Sequence, residues 1–378
     1  MASRIIGQSR KRLEDPSLLT GQGRFASDIS FPDQLAMRVV RSGYAHGRIV
    51  SMDTSEARAL PGVFAVWTAD EVADLPPIDV RLTNIKGLAP YRQYVLARDT
   101  VRYVGEPVAV VFASDAYTAE DAADLVAIDI EELPAVLDAA GETGEFAPGL
   151  PTEVVVIEKG YGDADAAFKA AHHVVSLTLS VGRHSGVPLE TRGAIARYDA
   201  KRDMLEMYGA AKVPHWNRDQ IAIMLGRERK SINLYEGHTG GGFGVRGELY
   251  PEDVIACYAA LKLGRPVKWI EDRREHFTAT TMERDQAWRV KAAADAEGRL
   301  LRHRSPLVHQ RRTDAVLATH LRHRHPRLPS LFQNRPFLLG CESSVASFFH
   351  RVSSLFPHPT RQHSPSLRCS VDEPALQS

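Results

Sequence analysis

The sequence predicts an α+β fold that is built in two regions and followed by an unusual tail. Short apolar strands alternate with short helices over residues 15–137, and the pattern resumes over residues 152–301 after a stretch rich in glycine, proline and acidic residues. The composition changes abruptly after residue 301. We therefore predict an N-terminal arm at 1–14, a first domain at 15–137, a linker at 138–151, a second domain at 152–301 and a separate tail at 302–378.

The first region is predicted from alternating or continuous apolar runs and from helix caps. Asp115 precedes an alanine-rich stretch and predicts the start of a helix at 115–125. Thr68 and Glu71 have the spacing of a capping box, which predicts a further helix start. The predicted strands lie at 34–41, 48–53, 63–67, 108–112 and 127–133, and another helix lies at 54–60.

The second region is predicted to contain strands and helices in similar proportion. The predicted strands lie at 174–182, 193–198, 205–208 and 231–235, and the helices at 163–172, 216–225 and 252–263. His172 and His173 end the first of these helices, as metal ligands or as residues that the helix dipole favours at that end. Cys257 has the surroundings of a small core residue.

Composition excludes several classes of protein. The 378 residues carry 47 basic and 47 acidic side chains, so no net charge draws the chain to nucleic acid or to a membrane surface. No apolar run of membrane-spanning length and no signal-peptide core is present. The three cysteines have neither metal-ligand nor disulfide spacing. We expect a cytoplasmic protein with no resident metal site of its own side chains.

The glycine cluster at 237–244, Gly-His-Thr-Gly-Gly-Gly-Phe-Gly, is the feature that carries most chemistry. It lies between a predicted strand and a predicted helix, where bare N–H groups can face a phosphate or an oxyanion. It lacks the Lys-Ser/Thr of a P-loop and the spacing of the dinucleotide fingerprint. From its residues alone, a ligand cradle and a purely structural turn remain open.

The sequences around this cluster resemble those of the molybdenum hydroxylases, which include xanthine dehydrogenase, aldehyde oxidase and the large subunit of aerobic carbon monoxide dehydrogenase. The resemblance covers about residues 8–301. It is carried by Gly237–Arg246, by Pro251-Glu252-Asp253 and by Leu261–Lys268, and further upstream by Ala45–Ile49, Ala59–Val63 and Val104–Val111. The nearest resemblance is to members like the carbon monoxide dehydrogenase large subunit.

The resemblance implies an a/b hammerhead domain followed by the first part of a molybdopterin-binding domain. In the family a Gly-Gly-x-Phe-Gly turn lies against the molybdenum–pterin centre, and the segment at 209–215 carries a glutamine where this chain has Lys212. Lysine has donors but no acceptor, so an equivalent role does not follow. The expected cofactor-binding residues are Lys212, Gly240, Gly241, Gly242, Phe243, Gly244 and Arg246. No catalytic residue is assigned.

The segment Val187–Ala194 also resembles a family segment. Two expectations follow for Glu190: a position near the substrate funnel, or a salt bridge with Arg192 at the start of a strand.

The resemblance also implies an oxidoreductase that acts on a small molecule. The family uses a molybdenum–molybdopterin cofactor, in which a cytosine dinucleotide form is one option, together with an iron–sulfur small subunit and an FAD-binding medium subunit. The family's large subunit is considerably longer than this chain, so we expect an N-terminal portion that is inactive and retains no cofactor. A non-catalytic binding or assembly module that keeps the hammerhead domain is the alternative.

The tail at 302–378 has a composition unlike the rest of the chain. It holds eleven arginines and no lysine, eight of the fifteen histidines and only four acidic residues. We interpret it as the product of a shifted reading frame and expect it to be disordered. A basic arm, a histidine-rich zinc tract and a divergent domain are the alternatives.

Overall fold

The computed structural model describes residues 5–79, 88–137, 142, 144–153, 155–159, 163–209, 213–282, 285–310, 319–324 and 368–370, with only the backbone described at 155–159, 285, 302–310, 319–324 and 368–370. Its α-helices are α1 (Asp15–Leu19), α2 (Ser55–Ala59), α3 (Ala116–Asp124), α4 (Ala164–Lys169), α5 (Pro214–Met224), α6 (Pro251–Leu263) and α7 (Arg273–Ala279).

The strands are short and spread over the whole described chain. They are β1 (Leu35–Arg41), β2 (Gly47–Asp53), β3 (Val63–Trp67), β4 (Thr100–Val101), β5 (Pro107–Ala113), β6 (Ala127–Glu132), β7 (Glu145–Ala147), β8 (Leu150–Pro151), β9 (Val155–Lys159), β10 (His173–Val181), β11 (Gly193–Asp199), β12 (Met204–Gly209), β13 (Ile232–Tyr235), β14 (Val267–Ile270), β15 (Asp285–Ala294), β16 (Leu300–Gln310), β17 (Thr319–Arg324) and β18 (Arg368–Ser370). The predicted mixture of helix and sheet is confirmed.

A seven-stranded sheet holds the two regions together. Its order is β13-β12-β11-β14-β1-β5-β3, so four strands from after the predicted linker continue directly into three strands from before it, within one layer. β1 pairs with β14 in parallel, Leu35 opposite Val267, and with β5 in antiparallel register, Met37 opposite Phe112. The linker therefore joins two parts of a shared sheet.

The remaining strands form three smaller arrangements. β4-β2-β6 form a three-stranded sheet beside α2 and α3, and β7 and β8 form a hairpin within the predicted linker. A six-stranded sheet has the order β18-β10-β15-β16-β17-β9. Its backbone includes residues 302–310, 319–324 and 368–370 of the predicted tail; the rest of the tail lies outside the described residues, and the domain boundaries stay a prediction.

The main core lies where α6 covers the seven-stranded sheet. Trp269, Phe112 and Ile195 are fully buried on the strands, and α6 is buried from Val254 to Ala260. Burial of each large side chain contributes about 1.5–3 kcal/mol. The helix is apolar nearly all round because it is enclosed. Pro251 occupies its first turn, and Gly264 ends it with a φ of 64°, a conformation that suits glycine.

Two predicted helices differ from the structure. The Thr68–Glu71 pair closes only a turn: the Glu71 carboxylate accepts the Thr68 N–H and hydroxyl, and Pro76 and Pro77 follow too soon for a helix to continue. The helix predicted at 163–172 ends at Lys169, because His173 already pairs with Ala294 across β10 and β15. Asp115 caps α3 as predicted, accepting the N–H groups of Tyr117 and Thr118.

Candidate functional site at one end of the seven-stranded sheet

Strand direction gathers several loops at one end of the seven-stranded sheet. β1, β12, β13 and β14 all run the same way, so the residues that follow them emerge together. β5 and β11 run in the opposite direction and begin there. We call this the site end. Ligands of open sheets with helices commonly bind beyond the carboxyl ends of parallel strands, which makes this end the first place to look for a site.

The glycine loop, residues 236–244, leaves β13 at the site end. Gly241 and Gly244 have φ angles of 106° and 94°, and the non-glycine Phe243 has a φ of 47°. Such angles are strained for an aromatic residue and persist only where surrounding contacts enforce them. Five of the seven predicted cofactor-binding residues, Gly240, Gly241, Gly242, Phe243 and Gly244, are therefore in one strained turn.

One face of the glycine loop packs tightly against protein. A Cβ at Gly240 would lie 2.5 Å from Cβ of Glu190, and one at Gly237 would lie 2.8 Å from the carbonyl oxygen of Arg24. A Cβ at Gly241 would lie 3.0 Å from the ring of Phe243 and 3.1 Å from Pro188. Glycine is required at these positions because neighbouring atoms occupy the space of a side chain.

The other face of the glycine loop is open. No heavy atom of the described residues lies within 4 Å of a Cβ built on Gly242 or Gly244, and the Phe243 side chain is 76% exposed. In the described part of the chain, the N–H groups of residues 241–244 donate to no protein acceptor. Four consecutive N–H groups beside open space form a cradle that suits an oxyanion or a metal oxo ligand.

Arg246 lies directly behind this cradle and is 3% exposed. Its Nη2 donates to the carbonyl oxygens of Glu190 and Thr191, each at 2.9 Å, and lies 2.9 Å from Glu190 Oε2. Within the described residues its Nε and Nη1 have no partner. Burial lowers the pKa of Arg246, and Glu190 offsets only part of that effect. A buried guanidinium with spare donors gains from a second anion.

Lys212 lies outside the described residues, but the strand leading toward it is in place. β12 ends at Gly209 and pairs in parallel with β13, Tyr208 opposite Tyr235. β12 and β13 therefore both finish at the site end. The role of Lys212 stays a prediction.

Glu190 does not form the salt bridge with Arg192 that was one expectation for it. Its Oε2 accepts the Gly240 N–H at 2.7 Å and its Oε1 accepts the Ala26 N–H at 3.2 Å. Arg192 pairs instead with Glu252 and Glu271. The place of Glu190 relative to a substrate funnel stays untested.

Arg192 is the centre of a buried ion cluster. Its Nη2 and Nη1 donate to Glu271 Oε1 at 2.7 Å and to Glu252 Oε2 at 3.1 Å. Its guanidinium carbon lies 3.8 Å from the ring centroid of Tyr250. Glu252 also accepts from Arg41 at 2.6 Å, which ties α6 to β1. Buried charges are tolerated here because each has a close partner of opposite sign.

Glu271 is a second carboxyl group of the cluster with a lowered pKa. Burial alone raises its pKa, but Arg192 and a hydrogen bond with His276 Nδ1 at 2.9 Å outweigh this and lower it to about 2. His276 is fully buried, and its Nε2 has no partner among the described residues. Sequence reasoning missed this cluster; the available signal was the run of charges directly after β14.

Metal ligands do not converge elsewhere in the described chain. No group of three or more His, Cys, Asp or Glu side chains there has the spacing of a metal site. His172 and His173 contact each other at the surface, with 3.1 Å between Nδ1 and Nε2. Cys257 is fully buried in α6, as predicted, and burial raises its pKa. The described helices include none with the length and apolarity needed to cross a bilayer.

Two family models match the chain. Residues 20–134 match the family described as the aldehyde oxidase and xanthine dehydrogenase a/b hammerhead domain, and residues 146–311 match the molybdopterin cofactor-binding domain. The second match contains the glycine loop, Glu190 and Arg246. The chain belongs to the molybdenum hydroxylase large-subunit family. The predicted family and fold are thereby confirmed.

Individual members of the molybdenum hydroxylase family share most of this chain. It is 43% identical over 311 residues to the 6-hydroxypseudooxynicotine dehydrogenase complex subunit gamma of Paenarthrobacter nicotinovorans, covering 80% of this chain and 39% of the relative. It is 35% identical over 314 residues to the carbon monoxide dehydrogenase large chain of Afipia carboxidovorans, covering 78% and 38%. The chain thus spans about two fifths of the length of these relatives.

A solved member has the same fold. Quinoline 2-oxidoreductase from Pseudomonas putida 86 superposes with a TM-score of 0.73 at 36% identity, covering 80% of this chain and 39% of that chain.

Proposed function

We propose that this chain forms one wall of the reaction centre of a molybdenum-dependent oxidoreductase. The observation that carries the proposal is the open face of the glycine loop, whose N–H groups at residues 241–244 have no acceptor among the described residues, in the region matched to the cofactor-binding family. Its position beyond the ends of parallel strands supports the same reading. The relatives named above are subunits of a dehydrogenase complex and of carbon monoxide dehydrogenase.

The described residues fit a molybdenum–molybdopterin group. The N–H groups of residues 241–244 would hold its oxygen atoms, the absent Cβ atoms of Gly242 and Gly244 leave room for it, and Arg246 would supply positive charge from behind. Lys212 would face the same group from the neighbouring loop. When bound, the molybdenum centre accepts two electrons from the substrate. The protein's part here is to bind and orient the group and to fix donors before reaction begins.

We propose further that the chain does not complete this centre. The cradle contacts a ligand from one side, and the named relatives are more than twice as long. On this proposal the chain is an N-terminal portion, inactive by itself, that holds the cofactor weakly. A small organic substrate, an iron–sulfur subunit, an FAD-binding subunit, a cytosine dinucleotide form of the pterin and a cytoplasmic setting are parts of the same proposal.

The test is a titration of the full chain with molybdopterin released from another enzyme, followed by pterin fluorescence, and a molybdenum assay of the desalted protein. We expect weak binding and well under one molybdenum per chain. Gly242→Ala should weaken binding by on the order of tenfold, since a methyl group there occupies ligand space. Gly43→Ala is the matched control, because Gly43 also has no atom within 4 Å.

Each result has a clear meaning. Stoichiometric molybdenum in the desalted chain would contradict the one-walled site. Equal binding by the Gly242→Ala and Gly43→Ala variants would place the cofactor elsewhere. A chain that binds no pterin but associates with iron–sulfur or FAD-binding subunits would favour the alternative of a non-catalytic assembly module.

A further inference from the structure

Glu190 contacts three separate segments at the site end. Its carboxylate accepts N–H groups from Gly240 of the glycine loop and from Ala26 of the N-terminal segment, and it pairs with Arg246. Its backbone N–H donates to the Gly240 carbonyl at 3.1 Å, so Gly240 is held through both its N–H and its C=O. The side chain is only 13% exposed, and that of Arg246 2%. No cofactor contact is needed for any of these bonds.

The position of Gly240 makes this contact unusually close. A Cβ built on Gly240 would lie only 2.5 Å from Cβ of Glu190, so the two residues can pack this closely only because Gly240 has no side chain. The positive φ of the non-glycine Phe243 follows immediately, flanked by positive φ angles at Gly241 and Gly244 that glycine adopts freely. The strain at Phe243 costs about 1–3 kcal/mol and needs an anchor in the surrounding contacts. Glu190 supplies that anchor.

The same carboxylate fixes which donors remain available. It occupies Arg246 Nη2 together with two backbone carbonyl oxygens, and it takes the N–H of Gly240, the first residue of the turn. Among the described residues, the N–H groups of residues 241–244 are then left without a protein partner, and so are the buried Arg246 Nε and Nη1. One side chain therefore separates the loop N–H used for structure, at Gly240, from those left for a ligand, at residues 241–244.

We propose that Glu190 is the positioning residue of the glycine loop: it holds the turn in its open shape and keeps Arg246 behind it. The role of the loop toward a molybdopterin rests on the proposed function, whereas the hold of Glu190 on the loop is a property of the chain alone. Glu190 acts through Gly240 and Arg246 and is not assigned a contact with substrate.

Amide hydrogen exchange of the full, cofactor-free chain tests the hold directly. With fragmentation that localises single amides, Gly240 and Ala26 should exchange more slowly than residues 241–244 in the wild type. Glu190→Ala should accelerate both by on the order of tenfold or more, because hydrogen bonds to a charged acceptor are among the stronger ones. Amides of α6, Pro251–Leu263, should keep their protection. Glu190→Gln, which retains one acceptor oxygen, should restore part of the protection at Gly240 and Ala26.

Glu71→Ala is the matched control. Glu71 also accepts a backbone N–H, from Thr68, and pairs with an arginine, Arg58, but it follows β3, at the opposite edge of the seven-stranded sheet from β13 and the glycine loop. It should speed exchange at Thr68 and leave residues 237–247 unchanged. Unchanged exchange at Gly240 in Glu190→Ala, or equal loss of protection in α6, would overturn the proposal.

Cofactor binding separates this proposal from the proposed function. Pterin titration of Glu190→Ala should show a Kd raised on the order of tenfold relative to the wild type and to Glu71→Ala. Faster exchange with unchanged pterin affinity would overturn the positioning role and leave the proposed function standing. A wild-type chain that binds no pterin, together with faster exchange in the variant, would remove the proposed function and leave the hold of Glu190 on the loop.

Discussion

The buried ion cluster around Arg192 and the glycine loop lie at the same end of one sheet and differ in how their polar groups are satisfied. In the cluster, Glu252 accepts from both Arg192 and Arg41, which leaves it little capacity for anything else. In the loop, the N–H groups of residues 241–244 have no acceptor among the described residues, and the Cβ positions of Gly242 and Gly244 meet open space there. A network whose polar groups all bind one another makes the fold rigid but does not bind a ligand. Hydrogen-bond donors without protein partners, held on a rigid support, can form a binding site. The comparison predicts that mutations in the cluster change stability, and that mutations on the open face change binding.

Arg192→Met should give the largest effect. Removing this guanidinium leaves Glu252 and Glu271 buried with a lost partner, which should reduce the free energy of unfolding by about 3–5 kcal/mol. Urea unfolding at pH 7 measures it. Arg48→Met is the control, since Arg48 forms an exposed pair with Glu131 and should lose less than about 1 kcal/mol. Equal losses in the two variants would remove the distinction between cluster and surface.

Lowering the pH should have the next largest effect, because it reduces the contribution of the ion cluster to the free energy of unfolding. The pKa of Glu271 is lowered to about 2 in the folded chain, so its contribution is complete above its unfolded pKa and is lost as the pH falls from about 4.5 toward 2. The shift corresponds to about 3 kcal/mol. Burial raises the pKa of Asp253 to about 7, which acts in the opposite direction and predicts a loss as the pH rises.

The contribution of Glu271 is therefore read as the difference between wild type and Glu271→Gln, each unfolded in urea at pH 7, 4.5 and 3. The free energy of unfolding of the wild type should exceed that of Glu271→Gln at pH 7, and the difference should shrink at pH 3. Parallel curves for the two proteins would contradict the assignment.

Gly240→Ala should cost about 1–3 kcal/mol in the free energy of unfolding, because its methyl group meets the side chain of Glu190. Thermal and urea unfolding measure the change. Gly240 is part of the glycine loop in the sequence, but its contacts place it on the face of the loop that packs against protein. A neutral substitution would show that Glu190 can move away at no cost, and the hold on the loop would then be weak.

Gly242→Ala should have the smallest effect on stability, within about 0.5 kcal/mol, since its methyl group meets no protein atom. Its effect should fall on pterin affinity instead. A large destabilisation by Gly242→Ala would place this residue on the packed side and erase the difference between the two faces of the loop.

Local signals were sufficient for much of the fold and for the location of the site. The Asp115 cap, the Pro251 start of α6 and the strand before the glycine loop follow from neighbouring residues, and they are present in the structure. The helix expected at Thr68 fails for an equally local reason, the prolines that follow it. The glycine loop could be located from the sequence because glycine marks backbone positions with a positive φ or a close approach to other atoms.

The partners of Glu190 and Arg192 were beyond reach of the sequence. Glu190 and Arg192 are two residues apart in the sequence. This spacing is compatible with a salt bridge between them and equally with separate partners for each. The outcome depends on the direction in which β11 begins and on which loops the sheet brings beside it. Tertiary placement of Gly240, Ala26 and Glu271 decides the pairing, and nothing in their local sequence encodes it.

The pairing of β1 with β14 has a consequence for how the chain folds. Leu35 finds its sheet partner at Val267, so β1 leaves the ribosome long before that neighbour exists. Contacts so distant in sequence slow folding and leave a strand edge exposed meanwhile. β5 covers the other side of β1 much earlier. Biogenesis of this chain therefore includes an interval in which one half-built sheet edge is open to aggregation or to a chaperone, and it closes only when α6 and β14 arrive.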